Sequence, residues 1–516
     1  MKKVRLLPVL SILFLSLCFY RCIPPSPQKI PAPAEILNQP VSVNFLHWND
    51  FHSANIPYKS RWGRTKGMYI GGYATLAGYI DSMRALYPGA IVLNAGDDFQ
   101  GSPISTLTRG MSQILILNQV QPTVFTIGNH EFDYGMENLR NAVHSARFNI
   151  VSCNLYDFTK QSLFVKPYKI IRSNGARIGV IGMIFEDLKH SVLPDNMKGL
   201  ATLDPVKSIM KYVEELQDKT DLIVVLSHNG FREDSVLATQ LREVDAIFGG
   251  HSHTRLHQPV QVNDILICQA GASGQFLGHL SATVDPETKS ITDYRYQLIE
   301  TVAGNVKASS AVARVVDSLE AIIEGEMNKV IGELKTPWVR NSRAESNIGS
   351  WIADATRDYF QTDIAFHNSG GIRKGLSAGP IKVRDIWEIS PFDNTIMIMQ
   401  ISGDQLLHLL DWRIKNPRDH LQTSGIKRVY NSQRKILIEA SVNGEPIVSD
   451  KIYTIATNNY IIGHIDRFLG LNIDDITVED AGIIGRDILI KAVAKQKVIN
   501  SATGGRLIFT TDKVGE

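Results

Sequence analysis

The chain has 516 residues, 44% of them hydrophobic, enough to bury substantial cores in two or more domains. Its 54 Lys plus Arg against 52 Asp plus Glu leave a net charge of +2, which excludes an extended nucleic-acid footprint and a strongly basic membrane-binding face. Four cysteines in so long a chain exclude a disulfide scaffold.

Residues 1–22 read as a signal or lipoprotein leader. Lys2, Lys3 and Arg5 precede the apolar run "LLPVLSILFLSLCFY", which is too short for a membrane span. The protein is therefore expected outside the cytoplasm, periplasmic or held by a membrane tether through this leader. Cys18 and Cys22 stand where a lipoprotein cysteine would, although "LSL" and "FYR" before them match a lipobox poorly. Residues 23–40, "IPPSPQKIPAPAEILNQP", form a stiff Pro-rich spacer. Cys153 and Cys268 lie in apolar strand-like runs and read as small buried hydrophobes.

The stretch "VNFLHWNDFHS", residues 43 to 53, starts as an apolar strand and then sets Asp50 and His52 two positions apart, where extended side chains point the same way. Four further strand-length runs end similarly. "AIVLNA" leads into "GDDFQGS", "TVFTI" into "GNHEFD", "LIVVLS" into His228, and "DAIFG" into "GHSH". Helical patterns lie between them, at residues 72–86 and in "DPVKSIMKYVEELQDK", where Asp204 suits an N-cap and Pro205 the first helical position. Strands alternating with helices predict an α/β layered domain, whose ligands gather at the carboxyl ends of the strands.

The polar set at those ends is Asp50, His52, Asp97, Asn129, His228, His251 and His253. Singly, each is an ordinary turn former or solvated side chain. Jointly, imidazole nitrogens mixed with carboxylate and amide oxygens suit zinc, manganese, iron or cobalt, whereas calcium takes oxygen ligands alone. Seven ligands exceed one tetrahedral ion and suit two ions sharing a carboxylate, ~3.5–4 Å apart, which would acidify a bridging water for attack on a phosphoryl group.

The second half lacks that pattern and reads as a separate domain. Residues 306–328 are expected to be a helical linker, on the periodicity of "SSAVARVVDSLEAIIEGEMN". "ESNIGSWIADATRDYF" predicts another amphipathic helix. "SGDQLLHLLDWR" opens with Ser402 three residues before Gln405, the spacing of a capping box.

"NDFH", "GDDFQGS", "GNHEFD", "LSHNG" and "GGHSH", in this order, resemble the signatures of the calcineurin-like metallophosphoesterases, and within them the exported bacterial 5′-nucleotidase and UDP-sugar hydrolase group. The resemblance implies a four-layer N-terminal catalytic domain over residues 41–305, a β-sandwich flanked by helices, and an α/β C-terminal nucleotide-binding domain over residues 329–516. It implies one metal on Asp50, His52, Asp97 and His253 and another on Asp97, Asn129, His228 and His251. His130 would be the catalytic imidazole, supported by Asp133. A protonated imidazole there would stabilise charge on the phosphoryl oxygens and assist the leaving group, and the carboxylate would fix its tautomer and raise its pKa.

The C-terminal matches are "NSGGIRKG", placing Arg373 as a phosphate or carboxylate clamp, and "SPFDN", whose Phe392 would stack on a nucleobase with Asn394 at its edge. Gly425 in "TSG" is expected near the same pocket, Tyr460 as a second stacking ring, and Asp466 as a ribose or base partner. Arg340 and Arg343 lie near the family's further arginine positions without a clean register. The family's Gly-rich loop is replaced by "IIGHIDRF", where His464, Ile465 and Arg467 would narrow the base pocket. The implied activity is hydrolysis of nucleotide phosphoesters by metal-activated hydroxide, as a 5′-nucleotidase or UDP-sugar hydrolase, with domain rotation during turnover and a role in salvage of external nucleotides. No nucleic-acid polymer or protein partner is expected. Three other readings fit parts of the pattern: a 2′,3′-cyclic-nucleotide phosphodiesterase, a thiosulfohydrolase-like enzyme, and a non-catalytic metal-containing surface binding protein.

Overall fold

Val43 and Phe45 face one side of the first strand and Leu46 and Trp48 the other, and this period-two alternation sets the architecture of the N-terminal half. The structure, a computed structural model, describes residues 39–60, 63–417 and 419–511. The expected leader, with Cys18 and Cys22, and nearly all of the Pro-rich spacer lie outside the described residues. Among the described residues no helix is long and apolar enough to cross a membrane.

In chain order the main strands are β1 (Val41–Trp48), β2 (Ile91–Asn94), β3 (Val124–Thr126), β4 (Asn149–Val151), β5 (Tyr168–Ser173), β6 (Ala176–Ile184), β7 (Leu222–His228), β8 (Ala246–Gly249), β9 (Val260–Val262), β10 (Ile265–Gln269), β11 (Phe276–Asp285) and β12 (Ser290–Glu300). They form two six-stranded sheets, ordered β12-β11-β1-β2-β3-β4 and β9-β10-β8-β7-β6-β5. Within them β1 to β4 are parallel, as are β6, β7, β8 and β10.

The sheets face each other through Val43, Phe45, Ile91 and Leu93 on one side and Ile178, Val180, Val224 and Phe248 on the other. Their outer faces are covered by helices. Leu46, Trp48 and Val92 pack under α1 (Tyr73–Leu86) and α2 (Met111–Val120), while Ile181, Met183 and Val225 pack under α3 (Pro205–Leu216). Strands buried on both faces read as continuous apolar runs, which is why they stand out in the sequence. The layers run α/β/β/α. Cys153 and Cys268 are buried free thiols whose pKa burial pushes up.

The predicted caps form. Asp204 accepts a hydrogen bond from the Lys207 amide at 3.0 Å, ahead of Pro205. Ser402 and Gln405 make the reciprocal capping box at the start of helix Gly403–Lys415. Helix α4 (Ser310–Met327) is more than a connector, because one face is buried along its whole length. Val312 and Val316 join the core beneath α1, while Ile323 and Met327 pack with Ile104 against Val383 and Trp387. Arg384 pairs with Glu320 at 2.7 Å beside that contact.

The C-terminal half is built on β13 (Ile364–Asn368), β14 (Thr395–Ser402), β15 (Leu421–Ser424), β16 (Ile452–Asn458) and β17 (Thr477–Ile484), ordered β15-β13-β16-β14-β17. Helices Asn347–Phe360 and α5 (Gly485–Gln496) pack with Trp338 and Ile381 in one core, and helix Gly403–Lys415 packs in another. The described residues make one compact unit.

Candidate active site

All seven polar residues picked out at strand ends lie at the carboxyl edge of parallel strands and meet there. Asp50 and His52 follow β1, Asp97 follows β2, Asn129 follows β3, His228 ends β7, and His251 and His253 follow β8. His52 Nε2 is 2.9 Å from His253 Nε2, which is 3.4 Å from Asp50 Oδ1. His228 Nε2 is 3.2 Å from Asp97 Oδ2 and 3.3 Å from Asn129 Oδ1, and His251 Nδ1 is 3.0 Å from that same amide oxygen. Asp50, His52 and His253 form one group able to hold a cation, and Asp97, His228 and His251 form another.

The backbone is bent to bring them there. Asp50, His52, Asp97, His251 and His253 have φ of 50°, 50°, 60°, 73° and 55°, in the left-handed region that Asp and His enter more readily than most residues. Neighbouring groups hold these turns. Glu131 accepts from the amides of Gly128 (2.6 Å), Asp97 (3.0 Å), Asp98 (2.8 Å) and Phe99 (3.3 Å). Gln269 donates to the Gly250 carbonyl at 2.6 Å and accepts from the Thr254 amide at 2.6 Å. His228 Nδ1 donates to the Ala95 carbonyl at 2.6 Å, which leaves its Nε2 lone pair facing Asp97 and Asn129.

The donor set fits divalent cations. Two imidazole nitrogens 2.9 Å apart beside a buried carboxylate, and an amide oxygen shared by two further imidazoles, crowd lone pairs that hydrogen bonds alone satisfy poorly. His52 Nδ1 is buried without a hydrogen-bond partner.

His130 stands beside this cluster, its amide donating to Asp97 Oδ1 at 2.9 Å and its Nδ1 to Asp133 Oδ2 at 2.8 Å. Burial alone would lower its pKa, but the carboxylates of Asp133 and Asp97 outweigh burial and hold it above the ordinary histidine value. Asn196 Nδ2 donates to the Asp133 carbonyl at 2.8 Å from the other side.

From the C-terminal half, Arg373 Nη2 lies 3.2 Å from His52 Nε2, and the Phe392 ring lies 5.9 Å from the His130 ring and 6.0 Å from the Arg373 guanidinium. Arg340 donates to the Arg373 carbonyl at 2.9 Å, so it belongs beside the clamp despite its poor sequence register. Tyr460 sits edge-on to His464, with its hydroxyl 3.5 Å from the His190 carbonyl. Asp466 is exposed in the first turn of helix Ile465–Leu469. Asn394 lines a small cavity behind Phe392 with His367 and Asn458.

Two expectations need correction. Gly425 does not lie by Phe392. It follows β15 at the edge where Ser424 pairs with Ala365, against Asp363 and Arg357, while Arg373 follows the opposite end of β13. Ile465 does not narrow the pocket, because its side chain is buried in the C-terminal core. Of the other two bulky residues in that loop, His464 packs on Tyr460 and Arg467 donates to the His190 carbonyl of the N-terminal half. Asn368 and Asp419 escaped the sequence reading; Asp419 accepts from the Gly370 amide at 2.9 Å and from Asn368 at 3.3 Å, bracing the turn before Arg373.

Comparison with known proteins agrees with this arrangement. Residues 43–255 match the calcineurin-like phosphoesterase family and residues 330–472 the 5′-nucleotidase C-terminal domain. The chain is 26% identical over 539 residues to the 5′-nucleotidase of Diplobatis ommata, covering 91% of this chain and 90% of that protein. It is also 26% identical over 412 residues to Endonuclease YhcR of Bacillus subtilis, covering 75% of this chain but spanning only 34% of that longer protein. The crystal structure of a 5′-nucleotidase precursor from Thermus thermophilus superposes with a TM-score of 0.83 at 27% identity, covering 91% of this chain and 99% of that one. With candidate metal-binding donor groups on an α/β/β/α sandwich and a matching second domain, this chain belongs to the calcineurin-like phosphoesterases that carry a 5′-nucleotidase C-terminal domain.

Proposed function

We propose that the protein hydrolyses the phosphoester of nucleotides as a 5′-nucleotidase, using two divalent cations. Asp50, His52, Asp97 and His253 would hold one and Asp97, Asn129, His228 and His251 the other, with the Asp97 carboxylate shared. When bound, such a pair acidifies a water for in-line attack on phosphorus and neutralises phosphoryl charge.

The chain's own groups do the rest. His130 keeps a proton on Nδ1 for Asp133, which leaves Nε2–H directed away from that carboxylate, toward the phosphoryl oxygens and the departing oxygen. Arg373 brings a guanidinium to the edge of the donor cluster, where its planar fork suits two phosphoryl oxygens. Phe392 offers a ring for the base on the leaving side, with Tyr460 and Asp466 further along the same domain. The leader supports action outside the cytoplasm, as read from residues 1–22, and salvage of external nucleotides fits that location.

The observation that carries this reading is the meeting of seven donors from five strand ends beside the His130–Asp133 pair. The test is a hydrolysis panel of AMP, a UDP-sugar, a 2′,3′-cyclic nucleotide and a thiosulfate-type substrate with manganese, zinc or cobalt, repeated with His130→Ala. AMP turnover that falls at least about 100-fold in the variant is expected. Full activity in His130→Ala would overturn the role given to His130, and no turnover of any nucleotide by the metal-loaded protein would overturn the activity itself.

A further inference from the structure

The loop that presents Phe392 is wrapped around a buried arginine. Arg486, in the first turn of α5, is 2% exposed, and its guanidinium stacks 3.6 Å from the centre of the Trp387 ring. Its Nη1 donates to three successive carbonyls, Ser390 at 3.3 Å, Pro391 at 3.2 Å and Phe392 at 3.3 Å. Its Nη2 donates to Asp393 Oδ1 at 2.5 Å. The four consecutive residues of the loop are thus tied to one rigid fork, a geometry that lysine cannot reproduce. From the N-terminal half, Thr106 Oγ1 donates to the Pro391 carbonyl at 3.3 Å and Tyr134 in turn donates to Thr106.

A guanidinium buried with a single acid partner that is half exposed is costly as a stabilising device. What the arrangement does is fix the curl of the backbone at 390–393, and with it the plane of the Phe392 ring between His130 and Arg373. We infer that Arg486 is a positioning residue for this aromatic platform, setting how strongly the enzyme prefers phosphoesters with a planar base on the leaving group over the same sugar phosphate without one. This rests on the reading of Phe392 as the base-stacking ring.

The experiment compares kcat/KM for AMP and for ribose 5-phosphate, which lacks only the base, in the wild type, Arg486→Gln, Arg486→Lys, Phe392→Ala and the Arg486→Gln/Phe392→Ala double variant. Stacking of a base on an aromatic ring is worth roughly a 5- to 150-fold preference. Arg486→Gln is expected to lower the AMP to ribose 5-phosphate ratio about tenfold, mainly through KM for AMP, with Arg486→Lys intermediate. The double variant should be no less selective than Phe392→Ala, because both changes remove one platform. A collapsed ratio in Phe392→Ala with a wild-type ratio in both Arg486 variants overturns the role of Arg486 while the platform stands. A wild-type ratio in Phe392→Ala overturns the platform itself, and the inference with it. Equal losses on both substrates, or additive effects in the double variant, would reduce Arg486 to a general structural residue and also overturn the inference. Should Arg486→Gln fail to fold, the ratio in Arg486→Lys decides alone.

Discussion

Glu131 takes four backbone amides on one carboxylate, and those amides belong to the two turns that carry Asp97 and Asn129. It lies two residues after Asn129 in "GNHEFD", yet nothing in the local sequence distinguishes it from an ordinary first-turn acid, since the amides of residues 97–99 arrive from more than thirty positions away. The left-handed φ of 60° at Asp97 costs free energy, on the order of 1–3 kcal/mol, that the surrounding bonds must offset. Glu131→Gln replaces one acceptor oxygen by an NH2 that faces the same amide donors, so the Asp97 turn should relax away from His228. Metal affinity should drop about 10- to 100-fold, as is usual when a group supporting a ligand is lost. Competition against a fluorescent chelator measures it directly, and an unchanged dissociation constant would show that the turn holds without this carboxylate.

At the scale of elements, β1 was legible because its apolar run is local, as were the caps at Asp204 and Ser402, whose partners lie three residues away. Gly425 was misplaced because a strand pattern does not say which end of the sheet faces the site, and Arg486 was invisible because its partners lie some ninety positions earlier. The polar interior of β1 belongs to the same class. His47 points into the sandwich against Phe248 and Tyr296, in space left by its cross-strand partner Gly278, whose missing Cβ makes the room. Burial, with a smaller contribution from His279, lowers its pKa from 6.5 to about 3. The folded state therefore binds fewer protons than the unfolded chain between those values, so stability is intact above pH 6.5 and is lost progressively as pH falls toward 3. At pH 5 the loss from this residue is on the order of 2 kcal/mol relative to pH 7.5. Urea denaturation of His47→Gln should show a correspondingly shallower acid dependence than the wild type, whatever its stability at neutral pH. Parallel curves from pH 7.5 to 5 would mean that His47 is protonated in the folded strand.

For the whole molecule, each proposed cation would bridge the two sheets of the sandwich. Asp50, His52, Asp97 and Asn129 hang from the sheet containing β1 to β3, and His228, His251 and His253 from the sheet containing β7 and β8. Both ligand groups take donors from both sheets, so polar contacts across the carboxyl edge join what the largely apolar core joins further in. Without cations that edge crowds the imidazoles of His52 and His253 and sets the Arg373 guanidinium against His52, whose pKa burial, and then that guanidinium, hold well below the ordinary histidine value. A cation bound only by the folded state at a hundred times its dissociation constant adds about 2.7 kcal/mol, and two independent sites add twice that. Chelation should therefore lower the thermal midpoint by several degrees as well as stop turnover, and excess manganese should restore both. His253→Ala and His228→Ala, which each touch one group, should each remove part of the manganese-dependent shift, and the double variant should remove nearly all of it. If the midpoint is the same with chelator and with manganese while activity responds, the donors hold their cations without linking the sheets, and the carboxyl edge must be held by Glu131, Gln269 and the backbone turns alone.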